Sequence, residues 1–167
     1  MESTTRRRRF EGHSAAVEDG SAWSVRYRIN VDRQWRTRSA HVWTWTEGDV
    51  RRCSLLHDGA GRWTVDGERA PHLDDCLDVD LEASACTNTF PAHRFASHID
   101  TLCDAPAAYV RIGGEIERLE QTYTPRPAGT GGQSFDYEAP RFEFASGLRY
   151  DRSGLIVEYP GIATRAL

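Results

Sequence analysis

Apolar and polar residues alternate without a break over residues 23–31. Trp23, Val25, Tyr27, Ile29 and Val31 fall on one side, and Ser24, Arg26, Arg28 and Asn30 on the other. A period of two is the mark of a strand with one buried face. Similar short runs recur at 35–45, 50–56, 62–65, 95–99, 108–112, 116–124, 134–138, 141–145, 148–150 and 155–159. Between them stand turn signals: Glu47-Gly48-Asp49, Asp58-Gly59-Ala60-Gly61, Asp66-Gly67, Gly113-Gly114 and Ser153-Gly154. Asp-Gly between alternating runs is a good hairpin signal. Residues 14–20 read as a loop or weak strand, and 125–133, rich in Pro and Gly, as a loop. No helical period persists beyond three turns. The pattern therefore predicts an all-β, mainly antiparallel fold with few or no helices: a large, strongly curved sheet forming a roll or half-barrel.

The richest stretch is residues 73–95, LDDCLDVDLEASACTNTFPAHRF. Leu77, Val79 and Leu81 alternate there with Cys76, Asp78 and Asp80, so the two carboxylates share one strand face about 7 Å apart. Thr87, Asn88 and Thr89 follow, short polar residues that favour turns. Then come Pro91, His93 and Arg94. Three readings remain open for this stretch. It could hold a ligand, it could be a small hydrolase or isomerase site built on Asp78, Asp80 and His93, or its polar groups could stitch strands together. Nothing in the pattern singles out a catalytic residue, and His93 and His98, five apart, make a poor ligand pair. The aromatic positions Trp23, Tyr27, Trp43, Trp45, Trp63, Phe135 and Tyr137 are candidates for a cavity wall, since binding cavities are mostly apolar with a few placed polar groups.

The 167 residues suit a single domain over 10–167, preceded by a flexible tail over 1–9 carrying Arg6 to Arg9. The net charge of −4 argues against a nucleic-acid partner, which needs a basic patch. Cys53, Cys76, Cys86 and Cys103 follow no zinc spacing. With no apolar leader and no apolar run long enough to span a bilayer, the thiols are expected to be reduced and the protein cytoplasmic. No phosphate loop, nucleophile elbow or deaminase signature is present, and no cofactor or metal is expected.

The stretch at 73–95 resembles the motif of the bacterial “Putative glycolipid-binding” proteins. Cys76, Asp78, Val79, Asp80, Leu81, Thr87, Asn88, Thr89, Pro91, Arg94 and Phe95 match it in order. Agreement extends to Glu11-Gly12, Tyr27, Asp32, Trp35-x-Thr37-Arg38 and Gly61-x-Trp63, and to Gln121-x-Tyr123, Tyr137-Glu138, Asp151-x-x-Gly154-Leu155 and Tyr159-Pro160-Gly161. Asp75, the segment Ser84-Ala85-Cys86 and the pair Ala92-His93 depart from it. The resemblance implies a curved antiparallel β-roll or half-barrel, similar to bacterial carriers that hold acyl chains on a concave face. It implies a glycolipid or other amphipathic small molecule as partner. Together with the polar stretch and the aromatic positions, it gives as expected ligand-binding residues Asp78, Asp80, Thr87, Asn88, Arg94, Trp43, Trp63, Tyr123 and Tyr137.

Overall fold

The computed structural model describes residues 8–128 and 131–166. Six strands follow one another as an antiparallel meander: β1 (Arg8–Glu18), β2 (Ser21–Val31), β3 (Thr37–Thr46), β4 (Asp49–His57), β5 (Trp63–Val65) and β6 (Glu68–Arg69). Two of its hairpins close on Asp-Gly pairs with both residues at positive φ, Asp19-Gly20 (51° and 82°) and Asp66-Gly67 (50° and 90°). That geometry matches the twist of the flanking strands. Residues 14–18, expected as loop or weak strand, continue β1, because each pairs with a residue of β2. Arg8 and Arg9, assigned to a tail on sequence, open β1 opposite Val31 and Asn30. The rest of that tail lies outside the described residues.

The second sheet has three strands, β7 (Asp78–Leu81), β9 (Ala107–Val110) and β10 (Ile116–Leu119), in the order β10-β9-β7. β7 and β9 run parallel, with Asp80 opposite Tyr109. A parallel pair requires a long crossover. Here it carries a 3-10 turn (Ala85–Asn88), the helix α1 (Thr89–Phe95) and β8 (Cys103–Asp104). The third sheet is antiparallel again, in the order β15-β14-β13-β12-β11-β8, built from β11 (Thr122–Arg126), β12 (Gly132–Ala139), β13 (Phe144–Asp151), β14 (Ile156–Tyr159) and β15 (Ala163–Thr164).

The all-β, mainly antiparallel expectation holds, with one short helix and no closed barrel among the described residues. The strands are divided among three sheets rather than one. The single strand expected over 116–124 is two, β10 and β11, which break at Glu120-Gln121 and enter different sheets. The strand expected over 95–99 is replaced by α1 and the turn after it. Pro91 is compatible with the helix because it sits in the first turn, where its missing N–H has no intrahelical acceptor to lose.

Both short central strands β7 and β9 are buried along their whole length. Their two faces serve two cores. Val79, Leu81, Ala108 and Val110 pack with Val25, Ile29, Val42, Leu55 and Trp63 of the first sheet. Tyr109 and Leu119 pack with Tyr123, Phe135, Tyr137, Leu148, Tyr150 and Tyr159 of the third. The alternation in β7 thus sends its aliphatic side chains to the first core, and leaves Asp78 and Asp80 on the face that meets the second.

Candidate functional site

Asp78 and Asp80 begin alike, two residues apart on one face of β7, and end in different chemistry. Asp78 is 1% exposed. Arg94, from the last turn of α1, grips it with both ends of its guanidinium: Nη1 donates to Oδ1 at 2.7 Å and Nη2 to Oδ2. The same Nη1 donates to the Trp35 carbonyl at 2.8 Å. That carbonyl is aimed by a turn in which Trp35 adopts φ 60°, while Asp32 Oδ1 accepts from the backbone N–H of Gln34 and Arg36. Burial pushes the Asp78 carboxyl up, and Arg94 pulls it back.

Asp80, 7% exposed, receives one side-chain hydrogen bond, from Thr87 Oγ1 to Oδ1 at 2.6 Å. Thr87 accepts in turn from the backbone N–H of Leu81 at 3.2 Å. Ser84 caps the 3-10 turn that delivers Thr87, accepting from the Cys86 N–H. Burial, with no matching cation, raises the Asp80 pKa to about 6.

Asp80 also lines a cavity of about 330 Å³ between the second and third sheets. Tyr109, Tyr137, Tyr159, Phe142 and Phe144 supply its aromatic lining, and Asn88, Ser84, Glu82 and Arg111 its remaining polar groups. Tyr137, Phe144 and Tyr159 form a tilted trio with ring centroids 5.8 to 6.2 Å apart. Tyr109 and Phe142 make a second pair at 5.6 Å. Behind this lining, buried side chains hold one another in place. Asn88 Nδ2 donates to Tyr123 Oη at 2.8 Å, Tyr150 Oη to the Asn88 carbonyl at 3.1 Å, and Tyr137 Oη to Gln121 Oε1 at 2.9 Å.

A second hollow of about 400 Å³ adjoins the first and shares Ser84, Ala85 and Tyr159 with it. Its further lining is mostly apolar: Ala83, Cys86, Leu155, Ile156, Val157 and Ala163, with Glu158, Thr164 and Arg165 among the polar members. Burial raises the Cys86 thiol above its ordinary value.

Of the residues expected from the sequence, Asp80, Asn88 and Tyr137 meet at the cavity. Thr87 and Tyr123 stand one layer behind it. Asp78 and Arg94 are paired with each other and do not line it. Trp63 and Trp43 belong to the first sheet. Trp63 is fully buried in its core and donates Nε1–H to the Cys76 carbonyl at 2.9 Å. Trp43 sits on the opposite face of β3 from Val42 and Thr44, half-buried between Arg26 and Arg52 of the neighbouring strands. Neither tryptophan lines the cavity, so the aromatic wall expected from β3 and β5 is supplied instead by Tyr109 of β9 and by aromatics between Tyr137 and Tyr159. His93, required by the hydrolase or isomerase alternative, is stacked on Trp35 with ring centroids 3.6 Å apart and lies outside the cavity lining. Asp78, Asp80 and His93 therefore share no cleft.

The sequence reading missed Tyr109, Tyr159, Phe142, Phe144, Glu82 and Arg111. The available signal was the density of Tyr and Phe beyond residue 108, where every aromatic of the chain is one or the other. Among the described residues, no group of three His, Cys, Asp or Glu could hold a metal ion, and no helix is long and apolar enough to cross a membrane.

Comparison with known proteins gives two findings. The family profile described as “Putative glycolipid-binding” matches residues 1–165. The chain is also similar to a solved structure, a DUF1089 family protein from Pseudomonas aeruginosa, at 28% identity and a TM-score of 0.82, over 99% of this chain and 95% of that one. No curated protein matches it.

Proposed function

Because the chain belongs to the “Putative glycolipid-binding” family, we propose that it binds one amphipathic molecule of the glycolipid class, without transforming it, where the Asp80 cavity and the apolar groove meet. The contiguity of the two hollows carries this reading. One offers a carboxylate, an amide and tyrosines, groups suited to a hydroxylated head. The other offers Ala, Leu, Ile and Val, suited to a hydrocarbon chain. Ser84, Ala85 and Tyr159 border both, so a head and a chain joined by one linkage could lie in both at once. Asp78, Arg94 and Trp63 are scaffold in this reading, and Asp80, Asn88, Tyr137 and Tyr159 contact the ligand. A cytoplasmic setting belongs to the same proposal and is supported by four free thiols.

Native mass spectrometry of freshly purified protein, with organic extraction and lipid analysis, tests the reading. The expected result is a one-to-one adduct that extracts as a glycolipid or related amphiphile, or that forms on adding a panel of them. A bare mass that no member of the panel shifts would refute it.

A further inference from the structure

The contrast between the two carboxylates of β7 reaches further than the choice of ligand class. Asp78 has its own arginine. Asp80 has the Thr87 hydroxyl and a smaller contribution from the Leu81 backbone N–H, and among the described residues no Arg or His nitrogen lies within ion-pair distance of it. A buried carboxylate is expensive unless a cation or several donors compensate it. The cavity does not supply that cation. Its charged lining is Asp80, Glu82 and Arg111, and the Arg111 guanidinium already reaches Glu82 at 3.6 Å and Glu117 at 3.4 Å. The lining is thus one negative charge in excess. Five aromatic rings line the same cavity, and an ammonium against such rings gains from their quadrupoles as well as from the carboxylate. A phosphate or carboxylate head would meet repulsion, and a neutral sugar would hydrogen-bond the carboxylate without neutralising it.

We propose that the head group bound at Asp80 is cationic, an ammonium such as that of an amino sugar, held between the Asp80 carboxylate and the rings of Tyr109, Tyr137, Tyr159, Phe142 and Phe144. This rests on the binding role proposed above and names the charge of its head group. The groups facing Asp80 leave it as the one that switches near neutral pH. Burial raises Tyr109, Tyr123, Tyr137, Tyr150 and Tyr159 on the surrounding strands, so they stay neutral, and Asp78 on the same strand is held by Arg94. Glu82 and Arg111 of the same lining are paired with each other at 3.6 Å.

Isothermal titration with three probes below their micelle thresholds tests the proposal: octyl glucoside, octyl 2-amino-2-deoxyglucoside and its N-acetyl derivative. At pH 7.5 the free amine should bind about tenfold tighter than either neutral probe. That advantage should vanish in Asp80→Asn, checked for folding by circular dichroism. It should also vanish in the unsubstituted protein at pH 5, where Asp80 is protonated. Equal affinity for all three probes, or an amine advantage that survives both Asp80→Asn and pH 5, would overturn the cationic head and leave the binding role standing. No binding of any probe would overturn both.

Discussion

Replacing Arg94 with leucine would strand the Asp78 carboxylate where water does not reach it. The pair is bidentate, Asp78 is 1% exposed, and the second bond of Arg94, to the Trp35 carbonyl, would go with it. Removing one partner of a buried ion pair costs about 3–5 kcal/mol, chiefly the desolvation of the charge left behind. A single domain holds roughly 5–15 kcal/mol in total. At about 2–4 °C per kcal/mol for a chain of this size, the melting temperature should fall by roughly 6–20 °C. The loss should depend on pH. Without Arg94 the folded-state pKa of Asp78 lies further above its unfolded value of about 3.9. A carboxyl with a raised folded pKa contributes stability that is present below the unfolded pKa and is lost as pH rises through the folded one. Arg94→Leu should therefore be damaged least near pH 4 and most at pH 8. The double variant Asp78→Asn/Arg94→Leu should recover most of the stability at pH 8, since no charge remains to strand. Urea unfolding of the parent, both single variants and the double variant, followed by tryptophan fluorescence at pH 4.5 and 8, measures all of this. A loss below about 1 kcal/mol at pH 8, or a double variant as unstable as the sum of the singles, would show that the pair is not the buried, coupled unit described.

Asp80 gives a related pH dependence by itself. With its pKa raised to about 6, stability should fall as pH climbs from about 3 to 7, by on the order of 3 kcal/mol, and Asp80→Asn should flatten that decline in urea titrations across the range. Gly12→Ala places a Cβ 2.3 Å from the Tyr27 ring across the β1–β2 pair; overpacking of this kind should lower stability by about 1–3 kcal/mol, read by thermal melting. Cys86 is the half-buried thiol beside the apolar groove, and Cys53, Cys76 and Cys103 are buried. A thiol-reactive dye should therefore modify Cys86 first, faster as pH rises, and more slowly with a long-chain glucoside present; an unchanged rate would argue that the chain lies elsewhere.

Strands β2 to β4 were legible because each alternates over several residues and meets its partner across a short turn; β1 and the two-residue β6 were not. Which face of a strand turns inward was less so. In β3 the aromatic side, His41, Trp43 and Trp45, faces outward, while Ala40, Val42 and Thr44 face the core. Alternation distinguishes two faces without saying which is covered, and size pointed the wrong way. In β7 the same signal separated the aspartates from the aliphatic residues. It carried no sign that Arg94, 16 residues on, would claim one aspartate and leave the other at a cavity. The helix α1 spans seven residues, too few for a period of 3.6 to stand out. The cavity depends on β9, β12 and β14, brought to β7 by tertiary pairing that no local pattern encodes.

The parallel pairing of β7 with β9 sets an order of assembly. The meander β1 to β6 can form hairpin by hairpin from neighbouring residues, and such contacts close early. Its apolar face is then not fully covered, because the covering layer needs β9, separated from the end of β7 by 25 residues that include α1. During synthesis the cover over Val25, Ile29, Val42 and Leu55 stays incomplete until residue 110 has emerged, because Ala108 and Val110 finish the layer that Leu73, Val79 and Leu81 begin. A chain stopped after residue 70 would keep its hairpins and lose its lid, and the shortest segment that can bury the first core runs past the crossover.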